Sequence, residues 1–514
     1  MTPLLTMGQA VSLHAHLTPD KIGARDLSRS MTFSQWEARS RRLANGLLGL
    51  GLAKGDRVAI LAYNCVEWLE IYAATALAGL VMVPINFRLT GPEIAYIVDN
   101  SEAKAIIAQA DFVEVGNELR ATSPIPPGNY VAFGTGVAAG WVGYEKTIAA
   151  ASDRAPDVDV RPEDTWAFIY TSGTTGKPKG AMRSHASHAL LGLATFVDLE
   201  LSRRDTALLV MPMCHANSLF FASSFTYGGA ACCVYDAKSF EPEHLLRTLA
   251  TEKATFTSLV PTHYIMMLGL PEAVKAQYDV DSVSKLLISS APARRDTKLA
   301  IMAHFRNSQL LEMYGSSEAG WATLLRPDEQ LSKLGSVGRE LTGCQPIKLL
   351  DDSGAEVPDG EVGEIFSYTP WCFDGYWQLP EKTAEAFRGP YLSVGDLGRR
   401  DGEGYIHLVD RKNNMIISGG ENIYPSEVEN LLGSHPAIKD VAVIGKPHEK
   451  WGEAVHAVVV LRDGIETTQA DLLAWCAGKI AGYKRPRSVA FIRDDEMPRT
   501  ATGKILHRVL KERY

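Results

Sequence analysis

The sequence predicts an α/β protein of two domains. The larger, residues 1–412, is built of parallel-type α/β sheets plus a small β region, and the smaller, residues 413–514, is α+β. Three observations carry this. Short apolar runs alternate with amphipathic stretches over the first three hundred residues or so, the pattern of parallel strands crossed by helices. From about Gly335, glycines and acidic turns punctuate shorter strands. Past the polar segment 410–414 the alternation starts again over a length that suits a domain of its own. At 514 residues the chain also exceeds what one core supports.

In order, Ser34 and Glu37 form a capping-box pattern that predicts a helix to about Leu50, ended by Gly51. Residues 57–61, 81–85 and 105–108 read as buried strands, with helices at 67–78, stopped by Gly79, and at 92–98. Proline-bearing connectors at 123–128 and 155–163 lead to an apolar strand at 166–170. A helix follows at 188–199. Strands are expected at 207–212, 231–235, 254–260, 285–289 and 310–313, and a helix at 242–252. Several of these strands end in small or polar residues, where open parallel sheets place ligands. The β region contributes strands 347–350 and 363–367. The last domain reads as helix 426–432, strands 441–444 and 454–461, helix 469–480 and strand 488–492.

Between the strand 166–170 and the helix lies Thr171-Ser172-Gly173-Thr174-Thr175-Gly176-Lys177-Pro178-Lys179-Gly180. Glycines let the backbone approach a ligand closely, the hydroxyls and N–H groups donate, and lysine supplies charge, so the loop suits a polyanion. It is not a P-loop. That motif needs four residues between its glycines and a hydroxyl after the lysine, whereas Gly173 and Gly176 are closer and Pro178 follows Lys177.

The net charge of −8 argues against a nucleic-acid partner. The seven cysteines are scattered with no C-x-x-C pair, which fits a reducing compartment and neither zinc nor a disulfide framework. No signal peptide is read at the N-terminus. The longest apolar stretch, 71–84, is too short to span a bilayer, and the last four residues are no organelle address, so a cytoplasmic location is expected.

Seven further segments recur in one order: Tyr314-Gly315-Ser316-Ser317-Glu318, 335–339, 360–364, Val394-Gly395-Asp396, Asp410-Arg411, Ser418-Gly419-Gly420-Glu421-Asn422-Ile423-Tyr424-Pro425, and Pro498-Arg499-Thr500-Ala501-Thr502-Gly503-Lys504. With the loop, they make nearly the whole chain resemble the acyl- and aminoacyl-adenylating superfamily, and its acyl-CoA synthetases in particular. The resemblance implies an N-terminal adenylation domain, a mobile C-terminal domain, and ATP, Mg2+ and coenzyme A as cofactors. It also implies a chemistry. A carboxylate attacks the α-phosphorus of ATP to give acyl-AMP and pyrophosphate, and a thiol then takes the acyl group. Bringing an anion to a polyanion makes charge neutralisation and positioning the main tasks.

By that resemblance, Thr171, Ser172, Gly173, Thr174, Thr175 and Lys177 hold the β- and γ-phosphates. Ser317 meets the α-phosphate, with Gly315 and Ser316 in the same nucleotide-binding set, and Glu318 holds Mg2+. Asp396 and Arg411 serve the ribose. Tyr314 stacks on the adenine, framed by Ser290, Ala291, Pro292 and Glu312. Lys504 bridges the carboxylate and the α-phosphate during adenylation. The hinge falls at Asn413, where relatives often carry Asp or Lys, and the Ser418, Gly419, Gly420 and Glu421 face then meets CoA. Thr171, His215, Glu318 and Lys504 are the catalytic set, with His215 a gate between the carboxylate pocket and the ATP site.

The acyl pocket is implied around His215, Asn217, Ser218, Thr262, Met313 and Trp321. Segment 211–226 carries no charged side chain apart from His215, and 313–324 only Glu318. A second substrate carboxylate would want an arginine, so dicarboxylates are disfavoured. Phe220, Phe221, Met313 and Trp321 point to an apolar substrate body, leaving fatty, alicyclic and aromatic monocarboxylic acids open. The expected activity is an ATP-dependent acid:CoA ligase; its rivals are loading of a carrier protein, a luciferase-like oxygenase, and a non-catalytic adenylate-binding regulator. No nucleic acid or membrane span is expected, and a homodimer is left open.

Overall fold

The computed structural model describes residues 4–136, 139–171, 177–290, 292–412, 414–418, 421–449, 451–500 and 503–514. The chain divides into two compact units, Met1–Pro346 with Ser367–Leu392, and Ile347–Phe366 with Ser393–Tyr514.

The first unit holds two largely parallel sheets. One runs, edge to edge among the described residues, Arg339–Glu340, Gly320–Leu325, Gln309–Ser316, Lys285–Ile288, Phe256–Leu259, Thr206–Leu209, Ala231–Val234, Ile22–Arg25 and Ser30–Thr32. Its central pairs are parallel, while Gln309–Ser316 and Gly320–Leu325 form an antiparallel hairpin. The other runs Gly375–Tyr376, Lys179–Ser184, Thr165–Thr171, Val81–Pro84, Arg57–Leu61, Ala103–Gln109, Tyr130–Phe133 and Val142–Gly143. Helices Glu67–Ala78 and Ala216–Gly228 are buried almost all round, and residues from both sheets join them in one core. A helix packed on every side keeps no solvent-facing polar stripe.

The strand at 57–61 and the helix at 67–78 lie where the sequence predicts them, with Gly79 left-handed at φ 65. Three expectations are corrected. The first helix expected from the sequence is Phe33–Gly49, preceded by a helix Met7–Leu17 that the sequence did not announce, and it is capped by Thr32 and Gln35 rather than by Ser34 and Glu37. Thr32 ends a strand with extended backbone, as an N-cap requires, and Glu37 instead pairs with Arg41. The hydroxyl-rich loop does not lead straight into a helix. Strand Lys179–Ser184 pairs antiparallel with Thr165–Thr171, so the loop joins two strands and the helix His185–Asp198 comes only afterwards. The helix at 469 stops at Trp475, since Gly478 at φ 72 cannot continue it.

Glu70, with a fully buried side chain, anchors one corner of this unit. It accepts from Arg39 at 2.5 Å, from Arg29 at 3.3 Å and from the Tyr144 hydroxyl at 2.7 Å. Glu70→Ala strips a partner from both arginines and from a buried hydroxyl. It is expected to cost about 3 kcal/mol, read as a lowered urea midpoint with an unchanged slope. A midpoint equal to that of the wild type would show the corner to be dispensable.

In the second unit the long strands Ile438–His448 and Gly452–Leu461 pair antiparallel, and Ser488–Ile492 adds in parallel to the latter. Helix Pro425–Gly433 covers them through Val428 and Leu432, over a core with Val441, Val443, Val455 and Ala457. Asp396–Arg400 and Ile406–Arg411 form an antiparallel pair in the same unit. No helix among the described residues is long and apolar enough to cross a membrane.

Candidate active site

Glu318 lies in the turn of the hairpin Gln309–Ser316/Gly320–Leu325. Gly315 is required there, because a Cβ would fall 2.1 Å from the Gly320 carbonyl oxygen. The Glu318 side chain is 6 % exposed. Its Oε1 accepts from the Tyr376 hydroxyl at 2.8 Å and from the Thr171 hydroxyl at 3.3 Å. Thr171 is the last residue of the strand that feeds the hydroxyl-rich loop, so the loop's entry and the acidic turn meet at one carboxylate. Lys179, on the exit strand, sits over the Tyr376 ring with its ammonium 4.0 Å from the centroid. Burial lowers its pKa while Glu318 opposes the shift. Lys177 lies over Tyr96, 5.3 Å from its centroid. Ser172, Gly173, Thr174, Thr175 and Gly176 lie outside the described residues.

Around the nucleotide-binding set, Ser290, two residues past the strand Lys285–Ile288, has φ 67, a left-handed conformation rare for serine and often kept at functional sites. Pro292 is exposed, Tyr314 and Ser317 are half-buried, and Ser316 accepts from the Ala319 N–H at 2.9 Å. The Glu312 carboxylate is committed to a buried ion pair with Lys298 at 2.6 Å, so it offers adenine no free charge. Ala291 lies outside the described residues.

The expected acyl segments build an aromatic floor. Trp321 stacks on Phe221, centroids 5.3 Å apart, and meets Phe220 edge-on at 5.5 Å. Phe220 and Phe221 are fully buried, and Met313 is 4 % exposed. The Trp321 Nε1 is buried with no partner among the described residues. Asn217 donates to Ser258 at 3.0 Å and Ser289 at 2.9 Å, while Ser218 donates back to the Met211 carbonyl at 2.6 Å, which turns the chain. His215 sits at the N-cap of the helix Ala216–Gly228, its Nε2 buried without a partner among the described residues, and burial lowers its pKa to about 4, so it is neutral at pH 7. Thr262 is exposed at the start of Pro261–Leu268.

The second unit gathers its own cluster. Asp396 and Arg411 are register partners, with a 3.0 Å ion pair. Lys504 follows Gly503, at φ 81, in a turn where the Thr500 N–H donates to the Lys504 carbonyl, the Gly503 N–H donates to the Thr500 carbonyl, and the Thr500 hydroxyl accepts from the Lys504 N–H. Solvent reaches Lys504, yet desolvation by its surroundings and then Arg411 lower its pKa to about 8, opposed by Asp396 and Asp410. Ser418 is the register partner of Glu421 in a short hairpin. Asn413, Gly419, Gly420, Ala501 and Thr502 lie outside the described residues.

The AMP-binding enzyme family matches residues 11–377, and its C-terminal domain matches 427–504. The chain belongs to that family. Within it, the chain is an AMP-forming acid–CoA ligase. It is 36% identical over 504 residues to a feruloyl-CoA synthase of an Amycolatopsis species, covering 97% of each chain. It is 34% identical over 489 residues to a long-chain-fatty-acid–CoA ligase of Mycobacterium tuberculosis, covering 94% of this chain and 93% of that one. Its fold superposes on ATP-bound MatB from Rhodopseudomonas palustris with a TM-score of 0.88 at 31% identity, over 99% of each chain.

Two neighbours of Glu318 in the ligase went unnoticed in the sequence, and a third, Lys179, figures there only as part of the loop, with no role of its own. Tyr376 is 58 residues away along the chain, and no spacing rule ties it to the acidic turn. Arg183 looks like an ordinary exposed arginine in a polar segment, yet it is fully buried. Lys179 stands in the hydroxyl-rich loop itself, and the strand there could have shown that its side chain shares a face with Ala181 and Arg183.

Proposed function

We propose that this ligase activates a monocarboxylic acid with ATP, holds the acyl-AMP, and transfers the acyl group to coenzyme A. The observation that carries the reading is Glu318, buried and oriented by Tyr376 and Thr171 where the hydroxyl-rich loop begins. No group of three or more His, Cys, Asp or Glu side chains that could hold a metal forms among the described residues, and a carboxylate such as Glu318 suits Mg2+, which takes one or two carboxylates together with substrate phosphate oxygens. When bound there, the ion offsets charge on the phosphates. Thr171, the loop hydroxyls and Lys177 hold the pyrophosphate that leaves. Lys179 is placed to add positive charge beside Glu318. Ser317 meets the α-phosphate, Tyr314 the adenine, and Asp396 with Arg411 the ribose.

Lys504 in this reading offers its ammonium to the attacking carboxylate and the α-phosphate. The neutral His215 acts as a gate by shape rather than by charge. The division at residue 413 belongs to the same proposal: the C-terminal domain turns about Asn413, Lys504 withdraws, and the Ser418–Glu421 hairpin takes the CoA side.

For the acid, a flat aromatic body fits best. Phe221 and Trp321 stack with centroids 5.3 Å apart, so the surroundings of the expected acyl segments are aromatic. The buried Trp321 N–H has no acceptor among the described residues, which suits a substrate oxygen there. The feruloyl-CoA synthase among the relatives supports this choice, and the long-chain relative supports a fatty acid as the second reading. Pyrophosphate and AMP release over linear, alicyclic and aromatic acids, with CoA, without it, and with a holo-carrier protein, tests the set. Aromatic acids should give the highest kcat/KM, and AMP release should require free CoA. A preference for linear acids would overturn the aromatic choice, and turnover with the carrier alone would overturn CoA as acceptor.

A further inference from the structure

Arg183 is an arginine in an unusual position. It lies on the strand Lys179–Ser184, 0 % exposed, and no carboxylate forms an ion pair with it among the described residues. Its Nη1 donates to the Ser317 carbonyl at 2.9 Å and to the Glu318 carbonyl at 3.3 Å, and its Nη2 donates to the Trp371 carbonyl at 2.7 Å. Its Nε is buried with no partner among the described residues. The guanidinium carbon also sits 4.8 Å from the centre of the Phe220 ring. Burial lowers its pKa to about 10, which leaves it charged at neutral pH. A buried cation without an ion pair is costly, and the charges of Asp374 and Glu318 offset only part of that desolvation.

What it does locally is clear from its acceptors. The Ser317–Glu318 turn is stitched to the segment 369–376 by bonds from Thr369 to the Ala319 carbonyl, from the Phe373 N–H to the Glu318 carbonyl, and from Tyr376 to the Glu318 carboxylate. Arg183 closes the back of that stitch with a planar fork that reaches the turn and Trp371 at once, a geometry lysine cannot copy. Its other face rests on the aromatic floor. One side chain therefore touches the backbone of the acidic turn and the ring beneath the expected acyl site.

We infer that Arg183 is a positioning residue that fixes the direction of the Glu318 carboxylate and ties it to Phe220. The inference rests on the adenylation reading of Glu318. Its consequence is that the acid-binding floor and the acidic turn are not independent: disturbing Phe220, which touches the guanidinium, is felt at Glu318 far more than disturbing Phe221, which packs on Trp321 and Phe256 and reaches the turn only through Trp321.

The test measures Mn2+ binding to the enzyme–ATP complex by electron paramagnetic resonance, beside the Mg2+ dependence of acid-driven pyrophosphate release. Arg183→Lys, which keeps the charge but not the fork, should weaken Mn2+ binding by about 10-fold or more, as lost outer-shell partners do. It should lower kcat with little change in KM for ATP. Should Arg183→Lys not accumulate as folded protein, Phe220→Leu decides: it should weaken Mn2+ binding several-fold, and Phe221→Leu should not. Folded Arg183→Lys with wild-type Mn2+ affinity overturns the inference, as does an equal response to Phe220→Leu and Phe221→Leu. A wild-type protein that releases no pyrophosphate with any acid overturns the adenylation reading instead, and the two failures are thereby told apart.

Discussion

Lys504→Ala is expected to abolish carboxylate-dependent ATP–pyrophosphate exchange while leaving thioester formation from synthetic acyl-AMP and CoA largely intact. The residue stands in a turn set by Gly503 and Thr500, beside Asp396, Asp410 and Arg411. Removing one preorganised charge partner from developing transition-state charge costs about 10²–10³ in kcat, some 2.7–4 kcal/mol of barrier. The second half-reaction attacks an acyl-AMP already made and has no use for that ammonium, so the loss should fall on one step alone. A pH profile adds a signature. The Lys504 pKa is lowered to about 8, and only the protonated form helps, so exchange should decline as pH rises through about 8. Lys504→Arg, whose group stays protonated, should lose that decline even where its rate is low. Normal exchange in Lys504→Ala sinks the assignment.

Glu318→Gln is expected to have the other large effect, about 10²–10³ in the rate of adenylation, with the fold intact. Glutamine keeps the shape and can still accept from Tyr376 and Thr171 through its amide oxygen. What it lacks is the negative charge that a hard cation needs. Thermal unfolding should therefore stay within a few degrees of wild type while pyrophosphate release collapses and higher Mg2+ restores little of it. Loss of the carboxylate should also remove its favourable field on Lys179, whose pKa Glu318 holds up against burial. A variant with near-normal rates and normal Mg2+ dependence would show that this carboxylate does not serve the phosphates.

Much of the fold was legible because local pattern and tertiary role agree. Strand 57–61, helix 67–78 and strand 488–492 are bounded by the punctuation the sequence shows. The cap of the first long helix was misplaced by two residues because Thr32/Gln35 and Ser34/Glu37 fit the same template, and only backbone geometry separates them. The strand Lys179–Ser184 escaped because its alternation is weak: Gly180, Ala181, Arg183 and Ser184 are all buried. For the site, the ordered segments from Tyr314 to Lys504 carry the adenylate-forming resemblance, but they are silent about support. Arg183 reaches a carbonyl 135 residues away, and Lys298 neutralises Glu312, through contacts that no spacing encodes. Charged side chains in the core are invisible to a hydrophobic pattern, which places them outside by default.

The proposed reaction runs in two steps through an acyl-adenylate. The direct measurement is a single-turnover reaction of enzyme, α-labelled ATP and an aromatic monocarboxylic acid without CoA, quenched and analysed for the labelled product. The account expects close to one equivalent of acyl-AMP per active enzyme together with one of pyrophosphate, followed by conversion to acyl-CoA and AMP when CoA is added. ADP and phosphate as products, or AMP formed only when acid and CoA are both present and with no adenylate trapped at any time, would contradict it.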